Sequence, residues 1–431
     1  MKAILIKGGR IIDPARGIDE TADLLISGKK ISAMGHGLEA PAGAEVLSAD
    51  KLIVCPGFID LHCHLREPGF EDKETIATGT LAAARGGFTT VCAMPNTSPP
   101  LDSEAVVKSV REKAEAAGPV RVLVIGCVSR GRKGEVLAEM GELASAGAIA
   151  FSDDGNTVAS HLMRPALEYS LALGLPVIDH CEDTALSADG QMNEGIIATR
   201  LGLKGIPAAA EEAIVARDLS LAQLTGGRLH IAHVSTAGSV ELIRHAQEKD
   251  IKVTAEVTPH HLTLTDEAVI GYNTSAKVNP PLRTARDIEA LIQGLKDGTI
   301  SAIATDHAPH TGTDKLCEFA LAPSGISGLE TALGSLMVLV HSGALNLITL
   351  LGKLTDGPAK IIGRDGELGT LATGASADVT IFNPDLEWLV DTGAFASKGK
   401  NTPLAGVTLK GKVVATIAQG QLVYRDGSVS L

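Results

Sequence analysis

Apolar positions along this chain follow two rhythms. Near the N-terminus, short strand-like pieces alternate with Gly turns, as in "AILIKGGRIID", "ADLLISGKKISAMG" and "AEVLSADKLIVCPG". The same pattern returns near the C-terminus in "ADVTIFNPD" and "GVTLKGKVVATIAQGQLVYRDG". Neither end carries a long amphipathic helix, so both read as β. Chain ends often lie close together in a fold. The pattern predicts one small β-sandwich assembled from residues 1–54 and 365–431.

The middle behaves differently. Apolar runs alternate there with Ala- and Leu-rich helical stretches. The runs "GFIDLHCH", "FTTVCAMPN", "RVLVIGCVS", "AIAFSDDG", "LPVIDHCED", "RLHIAHVST", "IKVTAEVTPHHL" and "ISAIATDHAPH" read as eight strands. Stretches such as "KETIATGTLAAARGG", "SEAVVKSVREKAEAAG" and "AEEAIVARDLSLAQLTGG" read as helices between them. Strands alternating with helices predict an α/β fold, a parallel (β/α)8 TIM-like barrel over residues 55–364.

Polar residues fall in a pattern on this barrel. His62, His64, Asn96, Asp153, His180, His233 and Asp306 all sit at or just past the C-terminal ends of the strands. A barrel builds its active site at that face. Alternate residues on a strand share a face, so "HCH" projects His62 and His64 together and turns Cys63 away. Cys181 beside His180 is expected to be a packed thiol for the same reason. Asp153 ends the run "GAIAF", where a side chain would face the histidines, and its neighbour Asp154 is expected to point elsewhere.

Four histidines and two aspartates converging on one face imply a metal site. Imidazole plus carboxylate suits Zn2+, with manganese, cobalt and iron as rivals. His62 and His64 would hold one ion, and His180 and His233 a second. Asp306 could ligate a metal and hold the proton of an attacking water, the arrangement of metal-assisted hydrolysis.

Composition narrows the function. The 431 residues are 45% hydrophobic and 21% charged, which suits a globular protein with one large and one smaller domain. No apolar run approaches the roughly 18 residues of a membrane span. The start, "MKAILIKGGRIID", has too short an apolar stretch for a signal peptide. A net charge of −13 and 3% aromatic residues disfavour a general nucleic-acid binder. Six cysteines without a C-x-x-C pair suggest reduced thiols and the cytoplasm.

The joint occurrence of "PGFIDLHCHLREPG", "MPNT", "NPPLR", "ATDHAPH" and "APSGISGLET" resembles the bacterial class I dihydroorotases of the amidohydrolase superfamily. The resemblance spans nearly the whole chain. It implies reversible cyclisation of N-carbamoyl-L-aspartate to L-dihydroorotate in pyrimidine biosynthesis, on a barrel-plus-sandwich architecture with zinc. His62, His64, Asp153, His180, His233 and Asp306 match the metal ligands. Arg66, Asn96 and His310 match the grip on the substrate carboxylate, and Asn279 a contact to the ring amide. A metal-bound hydroxide would attack, with Asp306 as proton shuttle. For Arg66 the chemistry agrees, because a planar guanidinium forks onto a carboxylate as lysine cannot.

Many relatives in the superfamily look to have a carboxylated lysine bridging two metals from the fourth strand. This sequence reads "AFSDDGN" there, and the resemblance puts Asp153 in that place. Two zinc ions are the expectation, with one as the alternative. The expected partners are the small-molecule substrate and a second copy in a homodimer, with room for a complex with aspartate carbamoyltransferase. The rival readings are another cyclic-amide hydrolase, acting on hydantoins, dihydropyrimidines or allantoin, and a scaffold subunit for the preceding pathway enzyme.

Overall fold

The computed structural model describes residues 2–427. All eight expected barrel strands are present: Phe58–Cys63, Phe88–Ala93, Arg121–Gly126, Ala148–Phe151, Val177–Asp179, Leu229–Ile231, Val253–Val257 and Ala302–Ile303. They pair in chain order, and every pairing is parallel. The first and eighth strands meet at a seam. There a bridge joins Cys63 to His307, and the His64 amide donates to the His307 carbonyl at 2.9 Å. Asp60 closes the seam with its side chain, accepting from the Thr305 amide at 2.8 Å and the Thr305 hydroxyl at 2.5 Å. Burial pushes the Asp60 carboxyl up to about 6.

The strands read as near-continuous apolar runs because both faces are covered. One face contributes Phe58, Val91, Val124, Phe151 and Val177 to the large core shared with the helices. The other contributes Ile59, Leu61, Ile125, Ile149 and Ile178 to a separate cluster, which Ile361, Ile362 and Leu368 join. The helices expected from the sequence form at Ile76–Arg85, Glu104–Ala117 and Ala209–Thr225. The first starts at a capping box, in which Thr75 and Thr78 satisfy each other's free backbone amides.

The chain ends come together as expected. Their hydrogen bonding makes one continuous eight-stranded mixed sheet with a core of its own. Val379–Leu389 pairs antiparallel with Ile53–Pro56, and that strand pairs parallel with Ile4–Asp13. Thr408–Ala418 and Gln421–Arg425 extend one edge, and Ile18–Ser27 and Lys30–Gly35 the other. The sheet meets the barrel tightly. At Gly87, with φ 87°, a Cβ would lie 2.7 Å from Thr380 and 2.9 Å from the Phe58 ring, so no side chain fits.

Candidate metal centre

The end of the first strand presents His62 and His64 together, with ring centroids 5.4 Å apart. Cys63 packs into the outer core, and Cys181 lies 3.6 Å from Asp218 rather than in the site. From the fifth and sixth strands, His180 Nδ1 and His233 Nε2 approach to 3.0 Å. Asp306 leaves the eighth strand and brings Oδ1 to 3.0 Å from His64 Nε2 and 3.6 Å from His62 Nε2.

The fourth strand corrects the expectation for Asp153. Its regular pairing stops at Phe151, so alternation no longer decides which aspartate faces inward. Asp153 turns away. Its Oδ1 accepts from the Val128 and Ser129 amides at 3.0 Å each, and its Oδ2 accepts from the Ser129 hydroxyl. Arg132 donates to the carbonyls of both Asp153 and Asp154, holding the turn. The side chain that enters the cluster is Asp154. Its Oδ1 lies 3.2 Å from His62 Nε2 and 3.6 Å from His233 Nε2, and its Oδ2 lies 3.6 Å from His64 Nε2. One carboxylate thus touches both pairs of histidines.

The tautomers suit a metal. Glu256 takes a hydrogen bond from His62 Nδ1 at 2.8 Å, and Asn96 Oδ1 takes one from His64 Nδ1 at 2.9 Å. Glu182 takes one from His180 Nε2 at 3.1 Å. Each bond occupies one ring nitrogen and turns the other into the cluster, the usual outer support of a metal histidine. There His62 Nε2 has no partner, while His64 Nε2 meets Asp306 and His180 Nδ1 meets His233, contacts that an ion would replace. Ligand atoms of His62, His64 and Asp306 lie within 4.8 Å of one another, as do those of His62, Asp154 and His233.

The fit to a cation is direct. His62 Nε2 and Asp154 Oδ1 are fully buried, yet neither makes a hydrogen bond. Buried polar atoms are rarely left so. Burial opposes charge on His62, but Asp154 and Glu256 outweigh it and push its pKa well above the ordinary value. Burial would likewise raise Asp154 and Asp306, but the surrounding histidines hold both below the usual carboxylate range. Carboxylates that favour a positive charge on His62 also favour a metal cation, which competes with the proton for the same nitrogen.

A cavity of about 270 Å³ opens above the cluster. Every candidate ligand or substrate-binding residue from the sequence lines it, except the fully buried His62 and the turned-away Asp153. Asn96 lines it while also holding His64, so its amide nitrogen remains available as a donor. Asn279 donates to Glu182 at 2.9 Å, which leaves its oxygen as an acceptor. Arg66 stands on the rim, its Nε donating to the Pro309 carbonyl at 3.2 Å. His310 donates to the Ser324 carbonyl at 2.9 Å. Burial and then Arg66 hold the His310 pKa at about 3.

Three of these residues carry backbone strain: Arg66, His233 and Asp306 have φ of 62°, 35° and 45°. Left-handed non-glycine residues cost on the order of 1–3 kcal/mol each and persist where the surroundings fix them. The sequence reading did not find Glu256 or Glu182. Glu256 carried a signal, a charge inside the apolar run "VTAEV", since an unpaired buried Glu is rare.

An eight-stranded barrel that gathers four imidazoles and two carboxylates at the C-terminal ends of its strands defines a metal-dependent amidohydrolase. A family model described as "Dihydro-orotase-like" matches residues 50–239. The chain is 53% identical over 423 residues to the dihydroorotase of Citrifermentans bemidjiense, covering 98% of this chain and 99% of that one. It is 56% identical over 425 residues to the dihydroorotase of Pelotomaculum thermopropionicum, covering 98% and 99%. Among solved structures, the L-hydantoinase (dihydropyrimidinase) of Arthrobacter aurescens matches with a TM-score of 0.89 at 27% identity, covering 100% of this chain and 98% of that one. The chain belongs to the dihydroorotase family.

Proposed function

We propose that this chain interconverts L-dihydroorotate and N-carbamoyl-L-aspartate with two zinc ions. The observation that carries the reading is the placement of Arg66 and His310 on the wall of the same cavity as Asp154 and Asp306. A cyclic amide that bears a carboxylate needs both features at once.

His62 and His64 with Asp306 would hold one ion, and His180 and His233 the other, with Asp154 between them. Bound zinc would polarise the ring carbonyl and lower the pKa of the attacking water. Arg66 and the Asn96 amide nitrogen bind the carboxylate, joined by His310 through Nδ1, which is buried without a partner and takes up a proton as the anion enters, and this remote binding orients the ring. The Asn279 oxygen accepts from the ring N–H. Asp306, held as an anion, takes the proton from the attacking water. The water oxygen bonds to the carbonyl carbon, the ring C–N bond breaks, and Asp306 returns the proton to the leaving nitrogen. Cyclisation runs through the same steps in reverse. Hydantoin and dihydropyrimidine rings without a carboxylate leave Arg66 without a counter-ion, which disfavours the rival substrates.

The reading extends to a homodimer in the cytoplasm, with aspartate carbamoyltransferase as the candidate partner because its product is this substrate. Five of the six cysteines are buried free thiols, which fits a reducing compartment. Among the described residues no helix is long and apolar enough to cross a membrane. Light scattering on the chain alone and with that enzyme tests both associations.

The stoichiometry supplies a test of the reaction itself. Ring closure turns a carboxylate into a neutral ring carbonyl and consumes one proton. Starting from either compound with the protein present, the equilibrium ratio of dihydroorotate to carbamoyl-aspartate should rise about tenfold for each unit fall in pH near neutrality. A ratio that ignores pH means a different reaction.

A further inference from the structure

Between the strands Val379–Leu389 and Thr408–Ala418 the chain leaves the end sheet and crosses to the barrel mouth. Glu330 and Glu74 anchor this excursion through the amides of Ala396 and Lys398, at 2.9 and 3.1 Å. Asn401 lies on it, with only 4% of its surface exposed.

The Asn401 side chain uses its whole hydrogen-bonding capacity on two neighbouring segments. Its oxygen accepts from the His310 amide at 2.9 Å and the Ser327 hydroxyl at 2.8 Å. Its nitrogen donates to the carbonyls of Ala308 at 3.1 Å and Gly325 at 2.9 Å. An amide side chain offers two donors and two lone pairs, so nothing is left over. The segments so joined are those that form the Arg66–His310 side of the cavity. Pro309, between two of these contacts, is the residue whose carbonyl orients Arg66.

The packing there has no slack. A Cβ on Gly325, where φ is 140°, would lie 2.7 Å from Ala308 and 3.1 Å from His310 Nε2. A Cβ on Gly399, two residues before Asn401, would lie 2.4 Å from Pro309. The Gly325 amide in turn donates to the Lys277 carbonyl at 2.9 Å, two residues from Asn279.

We propose that Asn401 is a positioning residue for substrate binding: it fixes segment 308–310, and with it the separation and aim of Arg66 and His310. The inference rests on the reading that these two hold the substrate carboxylate. Asn401 does not touch the substrate. It acts through the Pro309 carbonyl and the His310 backbone, so it should govern binding more than the chemical step.

The test is steady-state kinetics on L-dihydroorotate, with zinc content, for wild type, Asn401→Ala, Asn401→Asp, Arg66→Lys and the double variant Asn401→Ala with Arg66→Lys. Asn401→Ala should raise KM about tenfold or more, change kcat less than about threefold and leave zinc per chain unchanged. In the Arg66→Lys background the same change should raise KM by clearly less, the remainder passing through His310, because residues acting as a unit are not additive. Asn401→Asp keeps the volume and both accepted bonds but sets an anion against two carbonyls. It should show the same KM effect and decides the matter if the alanine variant does not fold. A loss confined to kcat, an unchanged KM, or a full Asn401 effect in the Arg66→Lys background overturns the proposal. Wild type that turns over no dihydroorotate refutes the substrate reading, whereas an active wild type beside an unaltered Asn401 variant refutes this inference alone.

Discussion

Asp153 and Asp154 are adjacent and both buried, and they do different work. Asp154 meets all four histidines, while Asp153 serves backbone amides and a hydroxyl. Asp154→Ala should lose most of its bound metal and its activity while remaining folded. Asp153→Ala should keep the metal and lose about 1–3 kcal/mol of stability, because the Val128 and Ser129 donors are left without an acceptor. Metal analysis and denaturant melts of both variants check this, and an emptied Asp153→Ala beside a loaded Asp154→Ala would contradict it. Asp306→Asn keeps the shape and removes the base, so turnover should fall by at least about a hundredfold. A near-native rate would exclude Asp306 from proton transfer. At this scale the histidines stand out from their surroundings in the sequence, because His62, His64, His180 and His233 sit at or just past the ends of apolar strands. The sequence reading chose the wrong aspartate because alternation was carried two residues past the end of a strand that stops at Phe151.

Single elements carry further consequences. The short helix Pro259–Thr263 holds His261 fully inside the protein. Its Nε2 donates to the Pro280 carbonyl at 3.0 Å, and its Nδ1 lies 2.8 Å from the Thr258 hydroxyl, which can donate to it, so the neutral ring is fully satisfied. Burial holds its pKa at about 3, against about 6.5 in an unfolded chain. Between those values the unfolded chain binds the extra proton. Stability from this group is therefore complete above about pH 6.5 and falls as pH drops toward 3. Denaturant melts at about pH 7 and pH 5 should show the wild type losing stability on acidification, and His261→Gln losing less. An equal loss in both would mean that His261 does not titrate on unfolding. The eight barrel strands were legible because strands covered on both faces must be apolar throughout. The two-residue strands at Met192–Asn193 and Gly205–Ile206 were not, since so short a pairing leaves no period to read.

Over the whole molecule, a net charge of −13 surrounds a cavity whose rim carries Arg66. On the proposed reading, Arg66 recognises the anionic substrate locally, against the average field. The end sheet contributes more than a cover for the barrel. Its excursion through Asn401 ties residues near the C-terminus to the binding wall, a link across 91 residues of chain to His310. That link was invisible in the sequence, because hydrogen bonds between distant segments leave no local pattern. The pairing of Ile53–Pro56 with Val379–Leu389 was hidden for the same reason, although the β character of both ends was plain. Potential metal ligands beside an arginine-bearing cavity wall are what a dihydroorotase-type enzyme needs. Turnover of L-dihydroorotate and of hydantoin, side by side on the purified protein with its zinc measured, tests that reading most directly. Zinc-loaded protein should open dihydroorotate at least about a hundredfold faster than hydantoin, and chelation should abolish both rates. Equal or faster turnover of hydantoin, or loaded protein that leaves dihydroorotate intact, would rule out a dihydroorotase.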